Sequence, residues 1–273
     1  MYTLAVTGPS DAGKTTAVER LIKQIDAPVA TVKHLTHSPA IDTEGKDTAR
    51  HREAGAAVTY GLYEHQWFAT GAERSIADVL DTLAPTYDYA ILEGFADFAV
   101  PTVVVGSDTE PAGEVLARYE TGEAIDVEAV LDALAETEEH VTLESLVAAV
   151  RDTPAADRAG AIATFTGQVR RRDGPDDTPT EHLVFERYDE VAAKRLRTIE
   201  SEIASRDGIY AVRTHHRTGV IDAGEDIVFV VVLAGHREEA FQAVEDGIDR
   251  LKEEVPIFKK EVTVDDAFWR HEA

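Results

Sequence analysis

Apolar runs of strand length alternate with helically spaced positions along the first hundred residues. Residues 2–7 (YTLAVT) read as a short buried strand, followed by a Gly-rich turn and a helix from about Lys14. Residues 28–32 form a second strand-like run. Residues 87–92 form a third, ending at Glu93-Gly94, and residues 101–105 a fourth. Strands alternating with helices predict a parallel sheet. Residues 33–57 are polar and carry His34, His37, Asp42, Gly45, Asp47, Arg50 and His51. From residue 107 to 145, twelve acidic residues stand against one Arg and one His. There Val127, Val130, Leu131 and Leu134 keep a helical period, which predicts a short acidic helix at a domain edge.

The pattern then starts again. Leu143, Leu146, Val147 and Val150 suggest a helix, and residues 161–167 (AIATFTG) a strand that runs into Arg170, Arg171 and Arg172. Residues 174–180 are a turn-rich loop, and residues 191–203 are helical by period. Residues 212–214 and 227–233 read as strands, with a turn at 222–225, and residues 241–251 as a helix stopped by Pro256. Interspersed strands and helices make this half α+β or α/β. We therefore expect an α/β chain of two domains. Residues 1–138 would hold the parallel sheet, and residues 139–273 a smaller α+β domain.

Composition narrows the function classes. Hydrophobic residues make up 44% of the 273, enough for packed cores and too many for a disordered chain. There is no cysteine, which excludes disulfides, thiolate zinc sites, iron–sulfur clusters and cysteine nucleophiles together. No run approaches the ~18 apolar residues of a membrane span. The opening MYTLAVTGPS lacks a basic stretch followed by an apolar core, so a cytoplasmic protein without a signal peptide is expected.

The formal net charge of −25 would repel nucleic acid, and neither nucleic acid nor a membrane is expected as a partner. The chain has 8 Lys against 19 Arg, an acidic, lysine-poor balance that suits a halophilic cytoplasm where salt screens self-repulsion. Where lysine is rare, each one draws attention. Lys14, Lys33, Lys46, Lys252, Lys259 and Lys260 all fall inside the motifs below.

Gly8-Pro-Ser-Asp11-Ala-Gly13-Lys14-Thr15 fits G-x-x-x-x-G-K-[ST], with an apolar strand before it and a helix after it. Glycines let successive N–H groups turn toward phosphate oxygens, and the following helix presents its positive end. In this reading Gly8, Asp11, Gly13, Lys14, Thr15 and Thr16 bind nucleotide. Lys14 reaches the β- and γ-phosphates, and Thr15 ligates Mg²⁺. Glu93, ending an apolar strand, stands where a carboxylate would hold the metal's water shell. Asp42 or Asp47 in the polar stretch is a candidate metal ligand, and His34-x-x-His37 a weaker metal pair. No N-K-x-D sequence of the common guanine-reading kind is present.

Together, G-P-S-D-A-G-K-T-T, V-K-H-L-T-H, G-K-D-T-x-R-H-R-E-A-G-A and L-E-G-F resemble the molybdopterin-guanine dinucleotide biosynthesis adaptor, the MobB family, over about residues 1–105. The resemblance implies a P-loop domain that binds GTP with Mg²⁺ and assists nucleotide attachment to the molybdenum cofactor. The chain departs from the family after E-G-F. Ala96 and Pro101-Thr102 stand where a Lys and a Pro-Lys pair are usual, which leaves GTP hydrolysis open.

The second half of this acidic chain gathers basic groups in four places: Arg170–Arg172, His215-His216-Arg217, His236-Arg237, and Lys252 with Lys259 and Lys260 around Pro256. Arg and Lys at strand and helix ends can converge on an anion such as a phosphate. Taken singly, each group reads more readily as an ordinary surface cation or a satisfied histidine.

In order, G-A-I-A-T-F-T-G-Q-V-R, H-R-T-G-x-x-x-x-G-E, G-H-R-E-E-A-F and I-D-R-L-K-E-E-V-P-I-F-K-K-E resemble the large, catalytic subunit of molybdopterin synthase, the MoaE family, over about residues 140–273. The resemblance implies a homodimer through this domain and a small ubiquitin-like sulfur carrier as partner. Two sulfurs pass from the carrier's Gly-Gly thiocarboxylate to cyclic pyranopterin monophosphate. It makes Lys252 and Lys259 the catalytic lysines, with Phe165, Arg170, His236 and Arg237 on the substrate. Phe258 replaces a common Trp, and Phe268 stands where an Arg often precedes the tryptophan, here Trp269. A ubiquitin-like-protein docking module or conjugation acceptor, fused to a nucleotide-binding adaptor, is the alternative reading.

Overall fold

The computed structural model describes residues 1–37, 47–263 and 267–270. Asp42, Gly45 and Lys46 lie outside these residues. The chain divides into two compact units, Met1–His140 and Val141–Ala273.

The first unit contains β1 (Tyr2–Thr7), α1 (Lys14–Gln24), β2 (Val29–Lys33), α2 (Asp47–Glu53), β3 (Val58–Tyr63) and β4 (Gln66–Gly71). It continues with α3 (Ile76–Leu83), β5 (Tyr89–Glu93), β6 (Thr102–Val105), β7 (Val115–Tyr119) and α4 (Val127–Ala135). Five strands form one sheet in the order β2-β5-β1-β6-β7, all parallel as the alternation requires. Alternation along β1 decides which helix it meets. Leu4 and Val6 pack with Ala17, Val18 and Leu21 of α1, whereas Ala5 packs with Leu80 of α3.

Because both faces are covered, the central strands read as unbroken apolar runs. Because the strands are parallel, β1, β2 and β5 all deliver their C-terminal residues to one edge. In the register, Glu93 of β5 stands beside Val6 of β1 and Lys33 of β2. β3 and β4 form a separate antiparallel hairpin. Short helices are fixed by local caps: Ser75 and Asp78 bond reciprocally at the start of α3, and the Asp126 side chain accepts from Ala129 N–H in α4.

The second unit contains α5 (Leu143–Arg151), β8 (Ala161–Gln168), β9 (Thr180–Arg187), α6 (Asp189–Ala204), β10 (Ile209–His216) and β11 (Gly219–Asp222). It ends with β12 (Asp226–Ala234), α7 (Arg237–Glu254), β13 (Ile257–Thr263) and β14 (Ala267–Arg270). Two antiparallel sheets form, β10-β12-β8 and β11-β9-β13-β14. β12 is the apolar run of the sequence because it is covered on both sides. Val228, Val230 and Val232 pack with Ile199 and Ile203 of α6 and Val244, Ile248 and Leu251 of α7. Val231 and Leu233 face Leu146, Val147 and Val150 of α5. Glu200 of α6 accepts from the N–H and hydroxyl of Thr214 at 2.6 and 2.8 Å, tying this helix to β10. Burial nevertheless raises the Glu200 pKa, outweighing those two donors. No helix among the described residues is long and apolar enough to cross a membrane.

Candidate functional site

In the first unit the phosphate loop leaves β1 through Gly8, whose φ is +144°. A Cβ there would lie 2.0 Å from the carbonyl oxygen of Val105, so the tight turn admits only glycine. Asp11 adopts a left-handed φ of +64°, and Gly13, at +89°, precedes the first turn of α1, in which Lys14, Thr15 and Thr16 lie. The first N–H groups of a helix have no partner within it, which makes the start of α1 a place where an anion can be held. The Lys14 ammonium meanwhile rests on the loop's own carbonyls, at 3.0 Å from Gly8 and 2.6 Å from Pro9.

The Thr15 hydroxyl donates to Glu93 Oε1 at 2.9 Å. The same carboxylate oxygen takes the Lys33 ammonium at 2.7 Å, and Lys33 Nζ stands 3.5 Å from Thr15 Oγ1. Glu93 is shielded, with 12% of its side chain exposed, whereas Lys33 keeps 53%. Asp47 opens α2 with a 91% exposed carboxylate paired to Arg50 at 3.7 Å. Among the described residues no hydrogen bond joins Asp47 to Thr15 or Glu93. His34 packs beside the Phe95 ring, 5.4 Å between centroids. No group of three or more His, Asp or Glu among the described residues could hold a metal ion.

The loop also has a support that no motif reveals. A Cβ on buried Gly122 would come within 1.9 Å of the Gly13 carbonyl oxygen and 3.1 Å of Ala17 N. Gly122 thus lets the segment after β7 lie directly beneath the start of α1. Gly122→Ala is expected to displace the Gly13 peptide and lower the unit's stability by about 1–3 kcal/mol, the usual cost of overpacking. Urea unfolding of Gly122→Ala and wild type measures it. Nucleotide binding should weaken even where the variant stays folded.

In the second unit a cavity of about 790 Å³ opens between the two sheets and the C-terminal turn of α7. Phe165 of β8 and Leu183 and Phe185 of β9 supply apolar wall, and Arg170, Arg172, Lys252 and Lys259 line it as cations. Three carboxylates, Asp173, Asp177 and Glu261, also line it. Four cations against three carboxylates make it a local reversal in a chain of net charge −25. Arg170 pairs with Asp173 at 3.0 Å and is 79% exposed. Thr180 Oγ1 donates to Glu261 Oε1 at 2.6 Å.

A second cavity, of about 280 Å³, adjoins it. Lys252, Lys259, Phe185 and His216 line both. The chain brings the two lysines together by a simple turn. Lys252 lies in the last turn of α7, where a cation suits the helix dipole. The helix stops before Pro256, and the chain returns as β13 beside β9, with Lys259 opposite Phe185. Period-2 alternation then puts Lys259 and Glu261 on the cavity face and Lys260 on the other. His216 is buried, edge-on to Phe185 at 4.9 Å, with Nδ1 2.7 Å from the Arg217 carbonyl oxygen. A carbonyl only accepts, so Nδ1 carries the proton. His215 instead stacks on Phe229.

The four basic clusters do not all converge within one chain. His236 and Arg237 are exposed at the opposite end of α7, and the helix rise sets Arg237 roughly 22 Å from Lys252. Sequence reasoning missed Phe185, Thr180 and Glu261, which reach the cavity through β9 and β13.

A model of molybdopterin guanine dinucleotide synthesis protein B, MobB, matches residues 3–129, and a model of the MoaE protein matches residues 136–254. A probable molybdopterin synthase of Haloferax volcanii is 48% identical over 274 residues, spanning 100% of both chains. The molybdopterin synthase catalytic subunit of Pyrococcus abyssi is 36% identical over 137 residues, 50% of this chain and 88% of its own. Among solved structures, molybdopterin synthase from Staphylococcus aureus matches with 36% identity and a TM-score of 0.39, covering 42% of this chain and 82% of that one. Bacillus subtilis MobB matches with 24% identity and a TM-score of 0.40, covering 51% and 100%.

Proposed function

The chain belongs to the molybdopterin synthase family, and from that premise we propose that the cavity at Lys252 and Lys259 is where it transfers sulfur in molybdenum-cofactor biosynthesis. A MobB domain precedes the catalytic one and brings the guanine dinucleotide adaptor role to the same chain. The observation that carries the site assignment is the position of the two lysines on the wall shared by a large and a small cavity. The larger cavity takes cyclic pyranopterin monophosphate. The smaller, lined by Pro256 and Phe258, takes the C-terminal tail of the ubiquitin-like carrier. Both ligands are anionic, and the cations on the wall attract them. Attack of the thiocarboxylate sulfur on a side-chain carbon forms a C–S bond as the carbon–oxygen bond there breaks. Water then hydrolyses the resulting thioester and returns the carrier as its carboxylate. The Lys252 and Lys259 ammonium groups stabilise the oxyanion charge that develops. Arg170 and Phe165 hold the substrate from β8 and the loop after it. No thiol of this chain is needed, since the carrier brings the sulfur.

His236 and Arg237 fit the same substrate only if they come from a second copy. In a twofold homodimer, the α7 N-terminus of one protomer would complete the cavity of its partner. Mixing Lys252→Ala with the double variant His236→Ala, Arg237→Ala tests this. Each variant alone should be nearly inactive. Randomly reassorted dimers should recover about one quarter of wild-type product, because one intact site forms in each hybrid. Absence of recovery, with hybrids demonstrated by native mass spectrometry, contradicts the shared site.

In the first unit the reading is GTP with Mg²⁺ on the phosphate loop. The donor set fits: a Thr15 hydroxyl and a Glu93 carboxylate are hard oxygen ligands. The turn at Gly8 is held tight against the Val105 carbonyl, which fixes the loop around that donor set. When bound, the metal would neutralise phosphate charge. Lys14 would leave the loop carbonyls for the phosphates, and the N–H groups from Gly13 to Thr16 would orient them. The acidic surface suits a high-salt cytoplasm, so assays belong in high salt.

A further inference from the structure

We infer that Lys33 is a built-in cation of the metal position, competing with Mg²⁺ when the metal is present and substituting for it when the metal is absent. The inference rests on the nucleotide reading of the phosphate loop. Its observation is the juxtaposition of three groups from three elements. Lys33 ends β2, Glu93 ends β5 and Thr15 lies in the first turn of α1. The ammonium stands 2.7 Å from Glu93 Oε1 and 3.5 Å from Thr15 Oγ1, and these two oxygens are themselves 2.9 Å apart. Those are the oxygens that would hold the metal and its water, and the ammonium already occupies their meeting point. A single oxygen of a largely shielded carboxylate serves both donors, so a divalent cation binding at that oxygen competes with Lys33 for it.

Two consequences follow, of opposite sign. With the metal present, Lys33 is a competitor, and loading Mg²⁺ means breaking its ion pair. With the metal chelated, Lys33 leaves one positive charge at the Thr15 end of the phosphate loop, in addition to that of Lys14. Its half-exposed stem lets the ammonium turn from the carboxylate to the phosphate without disturbing the sheet. A lysine holding the β2–β5 edge together for stability alone would produce neither effect.

The test is nucleotide binding by the full chain, measured by calorimetry with GTP in high-salt buffer, with EDTA and across a Mg²⁺ titration. The proteins are wild type, Lys33→Met and Lys33→Arg. Lys33→Met should need about fivefold less Mg²⁺ for half-maximal enhancement of binding, the scale of a half-exposed ion pair. In EDTA it should bind GTP about fivefold more weakly than wild type. Lys33→Arg keeps the charge and should retain the metal-free binding. Equal Mg²⁺ requirements in wild type and Lys33→Met, with GTP still bound, overturn the role of Lys33 and leave the nucleotide reading standing. Absence of GTP binding by folded wild type overturns both.

Discussion

Replacing Lys252 with alanine is expected to reduce molybdopterin formation by about 10³-fold while leaving the fold intact. The two halves of that expectation have separate physical grounds. The residue is exposed on the last turn of α7, and Leu251 beside it, not Lys252, is packed in the core. Loss of a solvated side chain there should change stability by no more than about 0.5 kcal/mol. Its effect on rate is of a different order, because the ammonium faces charge that develops only as sulfur attacks. Removing one preorganised donor of that kind costs about 10²–10³ in rate. Single-turnover product formation, beside thermal unfolding of the same sample, separates rate from stability. Near wild-type turnover would remove Lys252 from the chemistry.

The second large effect concerns Lys14. Lys14→Ala should weaken GTP binding by about 100-fold, through loss of charge-assisted bonds to phosphate, and leave sulfur transfer unchanged. Among the described residues the Lys14 ammonium bonds only loop carbonyls within the motif, so its removal spares the sheet. Each compact unit has its own core: Leu4, Leu21 and Ile91 in the first, Val230, Ile203 and Leu251 in the second. Calorimetric GTP binding and product formation on the same variant decide the matter. A parallel loss of both activities would mean that nucleotide binding controls the catalytic unit.

Much of the fold was legible because burial on both faces writes unbroken apolar runs. β1, β5, β6 and β12 are of this kind, and Val228 to Ala234 is buried throughout. Other elements were not legible. β9 (TEHLVFER) mixes Glu181, Glu186 and Arg187 with apolar residues, since one of its faces lines a polar cavity. β7 sits inside the acidic stretch and is a strand because β6 offers it a parallel edge, a tertiary cause with no local signature. The β3–β4 hairpin went unread although Val58, Tyr60 and Leu62 alternate. It pairs only with itself, and those side chains are exposed rather than packed on a core.

The site divides in the same way. The phosphate loop was readable because its glycines and Lys14 act through neighbours in sequence. Glu93 was readable from its place at a strand end. The approach of Lys33 to Glu93 depends on the β2–β5 register, and that of Gly122 to Gly13 on packing across more than a hundred residues. Lys252 and Lys259 were named from a resemblance. Their meeting on one wall follows from the stop at Pro256 and the return of β13, which the sequence only half displays. That His236 and Arg237 stand apart from them could not be read from motifs, which preserve order and carry no distance.

The most direct test of the account is product formation by the wild-type chain. Cyclic pyranopterin monophosphate and a thiocarboxylated ubiquitin-like carrier would be supplied in high salt, with the dithiolene product detected by mass spectrometry. The account predicts molybdopterin from wild type and from Lys14→Ala, and about 10³-fold less from Lys252→Ala. No product from a folded, carrier-binding wild type would contradict it and leave the second unit a docking module.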